Sequence, residues 1–171
     1  MDKNDHTPIR LDYLLKPGYI YMSDNQPISI STVVGSSVAV CLFDRKQKIG
    51  GMNHFQFPET NEREKATAIY GNVATLTLIK MMLSNGSKNS HIEAQIFGGA
   101  YNPEVSNMNV GINNIRTARK ILSSKKIKII SEDVGGEMGR KIIFNTATFE
   151  IAVLKVKTLR RSDWYPYQND R

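Results

Sequence analysis

Two side chains, Ser37 and His54, have the residue types and the spacing of a nucleophile and its base. Ser37 follows the turn Gly35-Ser36 and precedes an apolar run at 38–43. Glycine permits a tight turn, which can expose the next side chain and aim backbone N–H groups at a developing oxyanion. His54 comes seventeen residues after Ser37, so on a neighbouring strand it can act as the base of a covalent hydrolase. The same pattern also occurs in ordinary turns.

The single cysteine, Cys41, is a poor substitute for a nucleophile at position 37. Strand alternation places Ser37, Ala39 and Cys41 on one face, and four residues of strand put Cys41 about 13 Å from Ser37. A small buried hydrophobe is the interpretation that we favour. One cysteine also excludes an internal disulfide and a CxxC metal knuckle.

The elements that must position Ser37 and His54 are short strands in the first third of the chain. Turn-forming residues separate apolar runs there, notably at Lys16-Pro17-Gly18, at 23–27 and at 44–48. This pattern predicts strands at 18–22, 28–33, 37–43 and 50–57. We expect them to form a β-meander.

The rest of the chain predicts two helices among further strands. Apolar residues recur at helical spacing from Ala66 to Leu83, which predicts a long helix over 65–83. A second helix is predicted over 113–124, and strands at 91–97, 127–134, 141–145 and 150–156. The order predicts an α+β fold, in which two main helices flank a layered, mostly antiparallel β-sheet core.

The length of 171 residues and the 40% hydrophobic content indicate one globular domain. We predict a flexible N-terminal arm at 1–15, a folded domain at 16–156 and a basic, aromatic extension at 157–171. The extension has two interpretations, a strand extension packed on the body or an added contact with a partner.

The formal net charge of +7 is spread along the chain instead of being concentrated on one element. A solvated surface explains it best, an acidic protein partner is the second interpretation, and nucleic acid is disfavoured because aromatic residues do not interleave with the basic ones. The basic positions are Arg116, Arg119-Lys120, Lys125-Lys126-Lys128, Arg140-Lys141 and Arg160-Arg161.

Several classes of site and location are disfavoured by the sequence. No apolar run approaches the ~20 residues of a membrane helix, and the polar start lacks the apolar core of a signal peptide. We therefore expect a cytoplasmic protein without membrane insertion. His6, His54 and His91 lie in separate contexts, which predicts no metal site. Gly98-Gly99 and Gly135-Gly136 lack phosphate-loop spacing, so no cofactor is expected.

Several motifs in collinear order make the chain similar to the chemoreceptor glutamine deamidases (CheD). The first runs from Thr32 to Asp44, where the family has Gly-Ser-Cys and this chain has Gly35-Ser36-Ser37. The second is Gly-Gly-Met-x-His at 50–54, continuing to Pro58. The resemblance covers roughly residues 16–156. Further matching stretches lie at 70–74, 96–100, 109–111 with Asn114, 132–141 and 144–146.

The resemblance implies a protein-glutamine deamidase that uses a Cys–His–hydroxyl site on chemoreceptor glutamines. It implies that His54 is the base and that Ser31 is the hydroxyl partner, with the adjacent Thr32 as the alternative. The catalytic cysteine position is occupied by Ser37, so we expect an impaired or inactive enzyme, because a hydroxyl is far less acidic than a thiol. The implied partners are cytoplasmic chemoreceptor helices and a CheC-type phosphatase.

A serine at position 37 has two explanations, a deliberate Cys→Ser replacement or a natural relative that binds without catalysis. The rival functions are therefore a deamidase scaffold and a non-catalytic binding protein for the receptor or the phosphatase. An independent serine hydrolase that uses Ser37 and His54 is a third and less supported interpretation.

Overall fold

Nine strands and two α-helices form the part of the chain that the computed structural model describes, which is residues 11–24, 26–104 and 106–157. The strands are β1 (Leu11–Leu14), β2 (Ile20–Met22), β3 (Ile28–Val34), β4 (Val38–Asp44), β5 (Ile49–Phe55), β6 (Ile92–Gly98), β7 (Lys128–Val134), β8 (Gly139–Asn145) and β9 (Ile151–Val156). The helices are α1 (Gly71–Ser84) and α2 (Val110–Ser124).

The strands form two sheets. The outer sheet has the order β1-β3-β8-β9, and the central sheet has the order β2-β5-β4-β6-β7. Neighbouring strands are antiparallel except in the pairs β1·β3 and β6·β7, which are parallel. The predicted α+β fold with a mostly antiparallel, layered core is confirmed, and both sheets are mixed.

The central strand β4 explains how the layers pack. All seven of its residues are buried, as expected for a strand covered on both faces. Val38, Val40 and Leu42 belong to the apolar cluster shared with α1 and α2, whereas Ala39 and Cys41 belong to the cluster between the two sheets. Strand alternation therefore divides one apolar run between two cores. The layers are outer sheet, central sheet and helices.

The predicted β-meander is wrong, because β3 leaves the sheet that contains its sequence neighbours. Residues Ser29 to Val34 of β3 pair with β8 in the outer sheet, whereas β2 and β4 both pair with β5 in the central sheet. Turn 35–37 thus carries the chain from one sheet to the other instead of closing a hairpin. This crossing places Ser37 between the sheets.

The predicted flexible arm at 1–15 is corrected for its last residues. Leu11–Leu14 forms β1, which pairs in parallel with Ile28 to Ser31, and Leu15 is almost fully buried. The partner of a parallel strand lies far away in sequence, so the local pattern gave no signal for it. Residues 1–10 of the arm and 158–171 of the C-terminal extension lie outside the described residues.

The first helix begins six residues later than predicted. Phe57 pairs with Tyr70 as an isolated bridge, and the N–H groups of Gln56 and Phe57 both donate to Ile69 O. These backbone bonds fix the residues before Gly71, where a short 3₁₀ helix at Arg63–Lys65 and a turn at 68–69 take the place of the predicted helix. A Cβ at Gly71 would also overlap the Phe55 ring, so glycine lets the start of α1 pack closely on β5. In the described ranges, no helix is long and apolar enough to cross a membrane.

Candidate active site

Ser37 lies at the end of the turn that joins β3 of the outer sheet to β4 of the central sheet. Gly35 O accepts a hydrogen bond from Ala100 N, and Ser37 O accepts one from Gly99 N, both at 2.8 Å. The turn is therefore fixed from its carbonyl side by the backbone that follows β6. Only 6% of Ser37 is exposed, so its hydroxyl lies just below the surface.

Gly98 is the residue that allows this close approach. Its φ is +107°, a conformation that L side chains rarely adopt, and a Cβ there would overlap Ser37 O. Gly98 O in turn accepts a hydrogen bond from Gly135 N at 2.9 Å. The two glycine pairs that lack phosphate-loop spacing therefore support the backbone of Ser37.

His54 lies on β5 and reaches Ser37 directly. It stands opposite Ala39 in the antiparallel pair β4·β5, and the same alternation that directs Met52 toward the outer sheet directs His54 there as well. The distance from His54 Nε2 to Ser37 Oγ is 2.8 Å. The imidazole is fully buried between the two sheets.

Thr32 on β3 holds the other side of the imidazole. Its Oγ1 is 2.7 Å from His54 Nδ1 and donates to Leu15 O at 2.8 Å. A hydroxyl carries a single proton, and the Leu15 carbonyl can only accept. Thr32 Oγ1 must therefore accept from the Nδ1–H of His54, which leaves Nε2 unprotonated and able to accept the Ser37 proton. This tautomer is the one that a general base requires.

Burial also sets the charge of His54. The pKa of the imidazole is lowered from 6.5 to about 3 because burial disfavours the charged form. The ring is consequently neutral at pH 7, with its free lone pair directed at Ser37. Three side chains therefore form a hydrogen-bonded row, Thr32–His54–Ser37.

The structure brings together three of the four residues proposed for the site and leaves Ser31 outside the row. Ser31 adjoins Thr32 on β3, so its side chain projects from the opposite face of the outer sheet. Its pairing partner on β8 is Ile143, which is 38% exposed. Of the two hydroxyls, Thr32 is the one in contact with His54.

A surface cleft of about 520 Å³ opens beside the turn that carries Ser37. Gly35 and Ser36 form part of its wall, so a chain lying in the cleft passes next to the nucleophile position. The remaining wall combines apolar, amide and charged groups, which include Tyr101, Asn102, Met108, Glu137 and Lys157. Met108 is 73% exposed, so an apolar side chain is already available at the rim.

Cys41 has no access to this chemistry. Its thiol is fully buried in the apolar cluster between the sheets, and burial raises the thiol pKa far above its ordinary value. The pairing partners of Cys41 are Met52 and Gln95. In the part of the chain that the structure describes, no three His, Cys, Asp or Glu side chains form a group able to hold a metal ion.

Asn114 is a polar residue beside the site. It belongs to one of the matching motifs, but the sequence indicates no chemical role for it. In the structure its side chain is fully buried on α2 and donates to Ser36 O and Gln56 O, both at 2.9 Å. An asparagine inside an otherwise amphipathic helix was the available signal, because this residue type is unfavourable in helix interiors.

Comparison with known proteins agrees with the motifs. A family model described as CheD chemotactic sensory transduction matches residues 56–155. The probable chemoreceptor glutamine deamidase CheD of Trichlorobacter lovleyi is 41% identical over 150 residues, which are 86% of this chain and 92% of that protein.

Two further relatives carry the same description. The protein of Sulfurimonas denitrificans is 45% identical over 121 residues, which are 68% of this chain and 77% of that protein. The protein of Methylobacillus flagellatus is 36% identical over 148 residues, which are 83% of this chain and 73% of that protein.

Proposed function

Since this chain belongs to the CheD family of chemotactic sensory transduction proteins, we propose that it has the scaffold of a protein-glutamine deamidase acting on chemoreceptors. The observation that carries the proposal is the row Thr32–His54–Ser37, with hydrogen bonds of 2.7 and 2.8 Å. The proposed roles are base for His54, orienting hydroxyl for Thr32 and nucleophile position for residue 37.

The proposed reaction follows from the direction of these hydrogen bonds. The nucleophile at position 37 attacks the carboxamide carbon of a substrate glutamine and passes its proton to His54 Nε2. Thr32 accepts from the Nδ1–H throughout, which keeps the ring in place while it is protonated. His54 then protonates the leaving nitrogen, and ammonia departs. Water hydrolyses the resulting ester or thioester and restores the nucleophile with glutamate as the product.

The cleft beside the turn 35–37 is the proposed binding place for the substrate segment. A receptor glutamine must bring its carboxamide next to position 37, and this cleft has Ser36 in its wall. Its charged groups, Glu137 and Lys157, offer contacts to residues flanking the glutamine. The proposed substrate lies in the cytoplasmic part of chemoreceptors, so the proposal includes a cytoplasmic location.

We propose that Ser37 strongly impairs this activity, and the surroundings of His54 supply the reason. With a pKa of about 3, the imidazole is a weak base, and a serine hydroxyl gives up its proton much less readily than a thiol. A thiolate can form a stable ion pair with the imidazolium ion, whereas a serine alkoxide forms only transiently during attack. The hydrogen bonds among Thr32, His54 and Ser37 are thus in place, but the Ser37 hydroxyl is a weak nucleophile.

The test is to restore the thiol. Ser37→Cys is expected to release ammonia from a receptor peptide that contains the target glutamine and to add about one dalton to it, whereas the parent chain does so at least ~100-fold more slowly. The matched control is Ser37→Cys combined with His54→Gln, which has the thiol without its base. Turnover by the parent equal to that of Ser37→Cys would contradict the proposed impairment. No deamidation by Ser37→Cys on any receptor peptide would contradict the proposed scaffold.

A second candidate function is that of a binding protein for the receptor or for a CheC-type phosphatase. The observation that favours it is the intact turn and cleft around a weakened nucleophile, because a binding surface needs no thiol. Firm binding of either partner by both the parent and Ser37→Cys, without deamidation by Ser37→Cys, would favour this function over the first.

The charge distribution fits a protein partner better than nucleic acid. Several of the basic residues are already paired, since Arg119 contacts Glu132 at 2.9 Å and the buried Arg140 contacts Asp133 at 2.9 Å. Lys120 on α2 is largely exposed and lies 3.9 Å from a carboxylate oxygen of Glu59. We therefore propose no nucleic-acid partner, and Arg160-Arg161 lie outside the described residues.

A further inference from the structure

The side-chain amide of Asn114 joins the two segments that carry Ser37 and His54. Its Nδ2 donates to Ser36 O and to Gln56 O, both at 2.9 Å. Ser36 directly precedes the nucleophile position, and Gln56 lies two residues beyond the base. Two carbonyl acceptors also fix which end of the amide is nitrogen. One NH₂ group on α2 therefore uses both of its protons to hold the two halves of the site together.

The bond to Ser36 O also sets the direction of the next N–H group. In a trans peptide the carbonyl of one residue and the N–H of the next point in opposite directions. Because Ser36 O points at Asn114, the N–H of Ser37 points away from α2. That N–H has no acceptor among the described residues. It is a free donor on the nucleophile itself, which is the arrangement that stabilises an oxyanion.

Apolar packing alone does not explain Asn114. Its Oδ1 is buried and has no hydrogen-bond partner in the described structure, and an unpaired buried acceptor lowers stability. Asparagine is also a weak helix former at an interior position. Most other buried residues of α2 are apolar, for example Ile115 and Ala118, and Thr117 is the other buried polar side chain of the helix. An apolar side chain would suit this position better if packing were all that it provided.

We propose that Asn114 is a positioning residue that sets the distance between residue 37 and His54 and directs the Ser37 N–H toward the oxyanion. The inference rests on the proposed deamidase function for its kinetic consequence. Its geometric consequence does not depend on any substrate, because it concerns only how residue 37 and His54 face one another.

The experiment compares Asn114→Leu with the parent side chain in the Ser37→Cys chain. Without the amide, we expect kcat to fall at least ~100-fold while KM changes less than ~3-fold, because a donor that acts on the oxyanion is lost. The matched control is Asn113→Leu, which makes the same change at the exposed neighbouring position and is expected to leave both constants unchanged.

A second readout needs no substrate. The rate of alkylation of the thiol at position 37 by iodoacetamide is measured against pH, and its midpoint is expected to rise by at least ~1 pH unit in Asn114→Leu, since a displaced His54 and N–H no longer stabilise the thiolate. The parent chain, whose sequence contains the single cysteine Cys41, supplies the background rate.

The outcomes separate the positioning role from the other possibilities. An unchanged kcat and an unchanged alkylation midpoint in Asn114→Leu, with only a lower melting temperature, would overturn the proposal. If Ser37→Cys does not deamidate, the proposed function fails and the alkylation midpoint still decides the role of Asn114. If Asn114→Leu does not fold, Asn114→Ser, which retains one donor, is expected to lose at least ~10-fold in kcat and to shift the midpoint in the same direction. No change in either quantity would refute the inference.

Discussion

The neutral, buried state of His54 predicts how the stability of the protein depends on pH. The folded chain binds a proton at His54 only near pH 3, whereas an exposed imidazole in the unfolded chain binds it below pH 6.5. Between these values the unfolded state holds more protons, so lowering the pH favours unfolding. The contribution of His54 to stability is therefore fully present above pH 6.5 and is lost as the pH falls toward 3.

The magnitude follows from the same two pKa values. One extra proton on the unfolded state changes the free energy of unfolding by about 1.4 kcal/mol per pH unit. Summed from pH 7 to pH 5, the loss is about 2 kcal/mol. Burial raises the pKa of Asp44 and of Asp133, but hydrogen bonds outweigh it and hold both below 3.8. The pKa values of these two carboxyl groups therefore lie below the pH range over which the contribution of His54 is summed.

The assay is urea denaturation at several values of pH between 7 and 5, applied to the parent chain and to His54→Gln. We expect the parent to lose about 2 kcal/mol across this range and the variant to lose less than ~0.5 kcal/mol, because glutamine has no proton to bind. His91→Gln is the control for removal of a histidine outside the site, and the loss is expected to be smaller in His54→Gln than in His91→Gln. Equal losses in His54→Gln and in the parent would refute the assigned neutral state.

Two further predictions concern the hydroxyl partner and the turn behind the nucleophile. In the Ser37→Cys chain, Thr32→Val is expected to lower kcat at least ~10-fold because the Nδ1–H of His54 loses its acceptor. Ser31→Ala, on the opposite face of β3, is expected to leave kcat unchanged. Equal effects of the two changes on kcat would contradict the assignment of Thr32 as the hydroxyl partner. Gly98→Ala is expected to lower the melting temperature much more than Gly135→Ala does. Both positions have a positive φ, but only a Cβ at Gly98 overlaps a carbonyl, that of Ser37. Equal losses of melting temperature would argue against the close approach of Gly98 to Ser37.

Much of the fold could be predicted because its signals are local. The continuous apolar run of β4 indicates a strand that is buried on both faces, and helix α2 has apolar residues at helical spacing. The errors occur where a distant partner decides the structure. β1 needs β3 as a parallel neighbour, and the segment before α1 is held by backbone bonds to Gln56 and Phe57. No pattern within either segment indicates such partners.

The residues of the site could be predicted from the sequence only as far as strand spacing and motifs indicate them. Spacing indicated Ser37 and His54, and the motif left Ser31 and Thr32 as alternatives. The choice between the two hydroxyls depends on which face of β3 is directed toward the central sheet. That face is decided by the sheet change at turn 35–37, which the predicted meander did not contain. One error in topology therefore concealed the identity of the contacting hydroxyl.

The position of the serine explains why the scaffold and the chemistry can be separated. The bonds that shape the turn use backbone atoms of Gly35, Ser36 and Ser37, so they do not depend on whether residue 37 carries oxygen or sulfur. The side-chain atom determines only how readily a proton moves to His54, whose burial already opposes a positive charge. A thiolate beside an imidazolium ion offsets that cost by direct attraction between the charges, and an alkoxide is too unstable to do so. The replacement of sulfur by oxygen is therefore expected to leave binding intact and to remove turnover, which is the reason that restoring the thiol distinguishes the two candidate functions.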